Sequence, residues 1–177
     1  QAVHTPPSER VLKDGDVLTV DIGLYYRGFH TDFATSLIVG DKKDNQIVKF
    51  LEVGKRTLNK ALKEVKNGSY LGKISQVIQQ EIERGGYRIL RELTGHGIGR
   101  DLHEDPFVFQ FLDSPVEKTY KMRPGLVIAV EVIYSKSSAK IAYEKGNEWS
   151  IVSADGSLAA CFEHTIALTE QGPTVLT

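Results

Sequence analysis

Residues 126–134 read Leu-Val-Ile-Ala-Val-Glu-Val-Ile-Tyr, one carboxylate inside an otherwise uncharged, apolar run. A run of this kind predicts a strand buried on both faces. An ionised side chain there is costly unless a partner compensates it. The same conflict recurs elsewhere. Asp21 lies within Thr-Val-Asp-Ile-Gly, Asp32 within Thr-Asp-Phe-Ala-Thr, and Glu163 within Cys-Phe-Glu-His-Thr-Ile. A fold for this chain must give these acids a shared counter-charge, or pair each one with a base of its own.

The surrounding pattern predicts where they sit. Residues 1–10 read as an extended lead-in containing Pro6-Pro7. Val17 to Tyr25 is a strand, Arg27-Gly28 a hairpin turn, and Thr31 to Val39 the return strand. From Gln46 to Lys66 the apolar period becomes helical, carried by Ile47, Phe50, Leu51, Leu58, Leu62 and Val65. Asn67-Gly68 ends this helix, and Ser69 is placed to cap a second one, closed by Gly85-Gly86. Tyr87 to Leu93 reads as a strand, and Gly95 to Pro106 as a glycine- and histidine-rich loop. Met122-Arg123-Pro124-Gly125 is a turn before the strand Leu126 to Tyr134. Trp149 to Val152 and Ala160 to Leu168 are further strands, separated by the turn Asp155-Gly156. A hairpin, two helices and then several strands predict an α+β chain, its antiparallel sheet covered by helices on one face. With 177 residues and no linker, residues 1–177 read as a single domain.

On this layout a hairpin at Arg27-Gly28 sets Asp21 and Asp32 almost opposite each other. Cross-strand neighbours lie about 4.5–5.5 Å apart at Cβ, so two ionised carboxylates would repel and one would stay protonated. A divalent cation between them removes the conflict. His96, in Thr-Gly-His-Gly-Ile-Gly, offers a nitrogen donor from the loop. Four carboxylates and a neutral imidazole would balance two divalent ions, and oxygen-rich ligation with one imidazole suits Mn, Fe, Co or Zn. Such a pair can activate water and polarise a carbonyl. Taken singly, each residue has an ordinary reading: a turn-capping Asp, an ion-paired Glu, a solvated His96 or His103, a core Trp149, and a small buried hydrophobe at Cys161. The combination points to a metal site.

Composition removes other classes. Lys+Arg number 22 and Asp+Glu 23, for a net charge of -1, which gives no basic field for DNA and no polybasic membrane anchor. No apolar run reaches membrane-spanning length, so no membrane partner is expected. The lone Cys161 fits a reducing, cytoplasmic setting. The chain starts at Gln1 and its only methionine is Met122, which reads as a processed, trimmed or partial chain.

Five segments, together with the run from Trp149 through residues 155–169, carry a resemblance. They are residues 12–23, Gly-Phe-His-Thr-Asp (28–32), Gly-His-Gly-Ile-Gly-Arg (95–100), His-Glu-Asp-Pro (103–106) and Met-Arg-Pro-Gly (122–125). In these segments the chain resembles type I methionine aminopeptidases, of the pita-bread metallopeptidase family, over almost its whole length. The resemblance implies a pita-bread fold and removal of N-terminal methionine from peptides and nascent proteins by a water that two metals activate. It implies Asp21, Asp32, His96, Glu131 and Glu163 as ligands, with Asp32 and Glu163 bridging. It gives Glu131 a second role as proton shuttle, places His103 at the scissile carbonyl and His4 near the scissile nitrogen, and makes Trp149 a wall of the methionine pocket.

The same resemblance implies a monomer acting on peptide or nascent-protein N-termini, with ribosome association as a further expectation. Family members carry a segment upstream of His4 that helps form the first-residue pocket. Leu102 stands where a larger aromatic is common, and Glu131 is followed by Val-Ile where many relatives have Pro. Three alternatives stay open, one of them a purely structural metal or ion-pair cluster, although structural sites tend to be closed and thiolate-rich. An Xaa-Pro aminopeptidase or dipeptidase uses the same ligands but often has a second histidine at the position of Glu92. A non-catalytic pita-bread module binding protein or RNA typically loses ligands.

Overall fold

The computed structural model describes residues 2–3, 5, 8–42, 44–147 and 149–177. Strand β1 (Val17–Tyr26) pairs with β2 (Phe29–Ile38) along its whole length, from Val17↔Ile38 to Tyr26↔Phe29. The two residues between them both take positive φ, 50° at Arg27 and 88° at Gly28, the turn whose twist matches a right-handed hairpin.

Helix α1 (Asn45–Leu62) is capped by Asp44, whose carboxylate accepts from the Gln46 and Ile47 amides. It ends at Leu62 rather than at Lys66, yet Val65 stays fully buried in the turn that follows. Helix α2 (Leu71–Arg84) does not take its cap from Ser69. Its first amides are satisfied from a distant loop: Leu71 N–H donates to Tyr120 O and Gly72 N–H to Thr119 Oγ1, both at 2.9 Å. That partner is 47 residues away, so no local pattern marks it.

The expected strand at Tyr87–Leu93 contracts to β3 (Arg88–Ile89). The supposed loop from Gly95 holds strand β4 (Gly95–Gly97) and the start of β5 (Glu104–Val108). Next come β6 (Val127–Ser135), the short pair β7 (Ile141–Tyr143) and β8 (Ile151–Ser153), and then β9 (Ala159–Thr169) and β10 (Gly172–Val175). Trp149 precedes β8 instead of opening it. Strands β7 and β10 are too short to show an alternation in the sequence.

One antiparallel sheet runs β1-β2-β9-β6-β4-β5, with β10 also on β9 and β3 on β6. Its two faces divide the core by parity. Even-numbered residues of β6 and β9, among them Val130, Val132, Tyr134, Phe162 and Ile166, pack with Phe50, Leu58, Ile74 and Ile78 from the helices. Odd-numbered residues Ile133, Ala159 and Cys161 cluster with Ala34, Leu90, Ile151, Ala2 and Val3 on the opposite face. That second face carries the acids. The helices are the cover expected of an α+β pita-bread fold, but α1 lies mainly on β6 and β9. Ile22, Leu24 and Tyr26, on the helix-side face of β1, are 55%, 60% and 63% exposed.

Candidate metal centre

Strand register builds the site in two rows. Asp21 faces Ala34, Ala34 faces Glu163, and Glu163 faces Glu131, one line across β1, β2, β9 and β6. Directly opposed residues point to the same face. Two residues along lies the second row. Gly23 faces Asp32, Thr165 faces Ala129, and Ala129 faces His96. All five expected donors therefore share one sheet face. Gly23, Ala34 and Ala129 alternate with them and leave room between the donor atoms.

Two expectations change. Asp21 and Asp32 are diagonal rather than opposite, because the two-residue turn fixes Asp21 against Ala34 and Asp32 against Gly23. His96 stands on strand β4, not on a loop. Glycine on either side is a packing requirement there. A Cβ at Gly95 would lie 2.5 Å from Ala129 O, and one at Gly97 would collide with the backbone carbonyl of Asp105.

Donor atoms of Asp32, His96 and Glu163 lie within 4.8 Å of one another. His96 Nδ1 lies 2.8 Å from Gly97 O. A carbonyl only accepts, so Nδ1 carries the proton and Nε2 keeps its lone pair. Nε2 sits 3.6 Å from Glu131 Oε1. Burial holds His96 below its ordinary proton affinity, which favours the neutral imidazole. Burial also pushes Glu131 up to about 8, reinforced by the charges of Asp32 and Asp21. Glu163 moves the same way through burial, then through Glu131, Asp32 and Asp21. Its Oε1 is buried without a hydrogen-bond partner among the described residues, and Glu163 is 3% exposed.

This donor chemistry fits a metal. An orphaned carboxylate oxygen, acids that raise one another's proton affinity and a free imidazole lone pair all lack positive charge. Divalent cations held by Asp21, Asp32, His96, Glu131 and Glu163 would supply it.

The structure also brings His103 to the site. Its ring packs edge-on against His96, centroids 4.4 Å apart. Leu102 reaches over Gly23, its Cδ1 about 4.0 Å from where a Cβ would be. Trp149 lies in the turn before β8 and is 72% exposed, outside the packed donors. His4 falls outside the described residues. Glu92 accepts from the Ile141 amide at 3.2 Å and so steadies β7.

Two hydroxyls went unread in the sequence. Thr165 Oγ1 accepts from Asp32 N–H and donates to Asp32 O, both at 2.8 Å. Ser36 Oγ does the same for Cys161, donating to its carbonyl at 2.9 Å and accepting from its amide at 3.0 Å. They stitch the seam where β2 and β9 pair directly only at Phe33↔His164 and Ala34↔Glu163. Counting by twos gives Thr165 from Glu163 and, through Ala34, Ser36 from Asp32, which is the signal that could have found them.

Residues 1–170 match the Metallopeptidase family M24. The chain belongs to metallopeptidase family M24. Among curated M24 relatives, methionine aminopeptidase 1 of Bacillus subtilis is 41% identical across the whole chain, which spans 70% of that protein. The methionine aminopeptidase of Aquifex aeolicus is 37% identical, with 68% of its length spanned. The solved methionine aminopeptidase of Thermotoga maritima superposes with a TM-score of 0.88 at 36% identity, over 94% of this chain and 66% of that one. A prolidase from Thermococcus sibiricus, 23% identical with a TM-score of 0.76, shares the fold. The fold is thus the pita-bread fold expected from the motifs. Membership of M24 and the clustered donors make this a metallopeptidase that uses divalent metal. Among the described residues no helix is long and apolar enough to cross a membrane.

Proposed function

We propose that residues 1–177 form one catalytic domain that removes N-terminal methionine from peptides and nascent proteins. The observation that carries this is the complete donor set on one sheet face, in a chain 34–41% identical to methionine aminopeptidases over its full length. Asp21, Asp32, His96, Glu131 and Glu163 would hold two divalent ions of Co, Mn, Fe or Zn. When bound, such a pair supplies Lewis acidity toward the substrate amino group, the scissile carbonyl and an attacking water.

The rest falls to the protein. Glu131, buried beside Glu163, takes a proton from the attacking water and passes it to the departing amine. His103, held against the His96 ring, donates a hydrogen bond to the oxygen that gains charge. His96 stays fixed by Gly97 O. Leu102 over Gly23 and Trp149 would bound the first side chain, and His4 would meet the scissile nitrogen. A monomer in the cytoplasm, with ribosome association, agrees with substrates that are nascent chains and with a single unoxidised cysteine.

The test is amino-acid release from Met-Ala-Ser and Ala-Pro peptides with Mn or Co added, against a chelated control. Release of methionine only with metal supports the reading. Cleavage of the proline peptide alone would overturn it in favour of an Xaa-Pro peptidase. Inactivity with every metal would point to a binding module.

A further inference from the structure

Cys161 is the chain's single cysteine, and on sequence alone it reads as a small core residue. The register gives it other neighbours. It precedes Glu163 by two positions on the acid-bearing face, and it faces Ile133, two positions beyond Glu131. Its Sγ and carboxylate oxygens of Glu131 and Glu163 lie within 4.8 Å of one another. A second observation points into the same space: Glu163 Oε1 is buried and has no hydrogen-bond partner among the described residues. The strand beneath is held still, since the Ser36 hydroxyl bonds both Cys161 N–H and O while Thr19 Oγ1 lies 2.7 Å from Ser36 Oγ. With its one proton committed to Cys161 O, Ser36 Oγ can only accept from Thr19.

We infer that Cys161, Glu131 and Glu163 form a sulfur-containing site for a thiophilic divalent cation, cadmium above all, which shares both carboxylates with the M24 cluster. A thiolate selects soft cations, whereas carboxylate and imidazole sets do not. One sulfur and two carboxylates make three corners of a tetrahedron and leave the fourth open. As the sulfur–cation bond forms, the thiol proton leaves to solvent. A cation seated there engages Glu131 and removes it from proton transfer, so soft cations inhibit at this site.

The site uses the carboxylates of the proposed active centre, but its readout is spectroscopic and needs no turnover. Failure here leaves the peptidase reading standing. Cadmium is titrated into the metal-stripped chain, and sulfur-to-cadmium charge-transfer absorption is followed in the ultraviolet. Because the chain has one cysteine, any such band in the unmutated protein belongs to Cys161. The expected result is a saturable band, lost in Cys161→Ser. Its midpoint shifts to higher cadmium by on the order of tenfold or more in Glu131→Gln and in Glu163→Gln. Absence of the band while circular dichroism shows the fold intact would overturn the inference. So would a band whose midpoint is unchanged in both carboxamide variants, because the sulfur would then bind cadmium without these acids.

Discussion

Glu163 lies against Glu131, Asp32 and Asp21, with one oxygen that no donor among the described residues meets. Without metal, the fold tolerates this arrangement by keeping protons on Glu131 and Glu163. These two carboxyls bind protons more tightly folded than unfolded, so the sign of the pH effect follows. Stability is fullest below the ordinary glutamate value of 4.5 and falls as pH rises toward about 8, where Glu131 ionises in the fold. Calorimetry in chelator should therefore show Tm declining across this window, with roughly 2–4 °C lost per kcal/mol for a chain of this size. Added divalent metal should flatten the slope. Glu163→Gln separates charge from shape. It should raise the metal-free Tm at neutral pH and shrink the pH slope, while metal-dependent methionine release drops on the order of a hundredfold or more. A lowered metal-free Tm would show that the carboxylate is held by a donor rather than strained by its neighbours.

Between strands, the weak point is the β2–β9 seam. Thr165 there replaces a pair of ladder hydrogen bonds to Asp32 with its side chain. Thr165→Val keeps the shape but takes the acceptor from the Asp32 amide and leaves its carbonyl only the longer bond from Thr177 Oγ1, at 3.3 Å, a loss of about 1–3 kcal/mol in denaturant unfolding. Asp32 should loosen, so metal binding weakens in isothermal titration, and Thr165→Ser should restore both. Much of this level was legible beforehand. The hairpin, both helices, and the strands bearing Glu131 and Glu163 follow from apolar period and turn residues. The fold class was readable, and the four acids stood out because an acid among apolar neighbours is anomalous on one line of sequence, whereas His96 stood out by the glycines on either side of it. What was not legible depends on distant partners. Nothing local reveals that Thr119 caps α2 or that His96 sits in a three-residue strand against Ala129. The diagonal offset of Asp21 and Asp32 depends on where the turn is centred, one residue later than opposite pairing would need. Cys161 looked inert because its identity, without its register, says only that it is small and apolar.

At the scale of the molecule, the sheet is unevenly covered. Helix α1 shields β6 and β9, while Ile22, Leu24 and Tyr26 leave the same face of β1 open, beside the exposed Phe29 of β2. A patch of this kind on a sheet edge favours association. Ile22→Thr with Leu24→Thr should lower concentration-dependent aggregation, read by light scattering, and leave methionine release unchanged, since both side chains point away from Asp21 and Gly23. The order of strands has a different consequence, one of timing. Strand β9 lies between β2 and β6, so a segment made after both of them is inserted between them. Until it arrives, the hairpin holding Asp21 and Asp32 has no route to Glu131 or His96. A growing chain thus keeps its acids scattered and its cutting edge unassembled until β9 closes the gap.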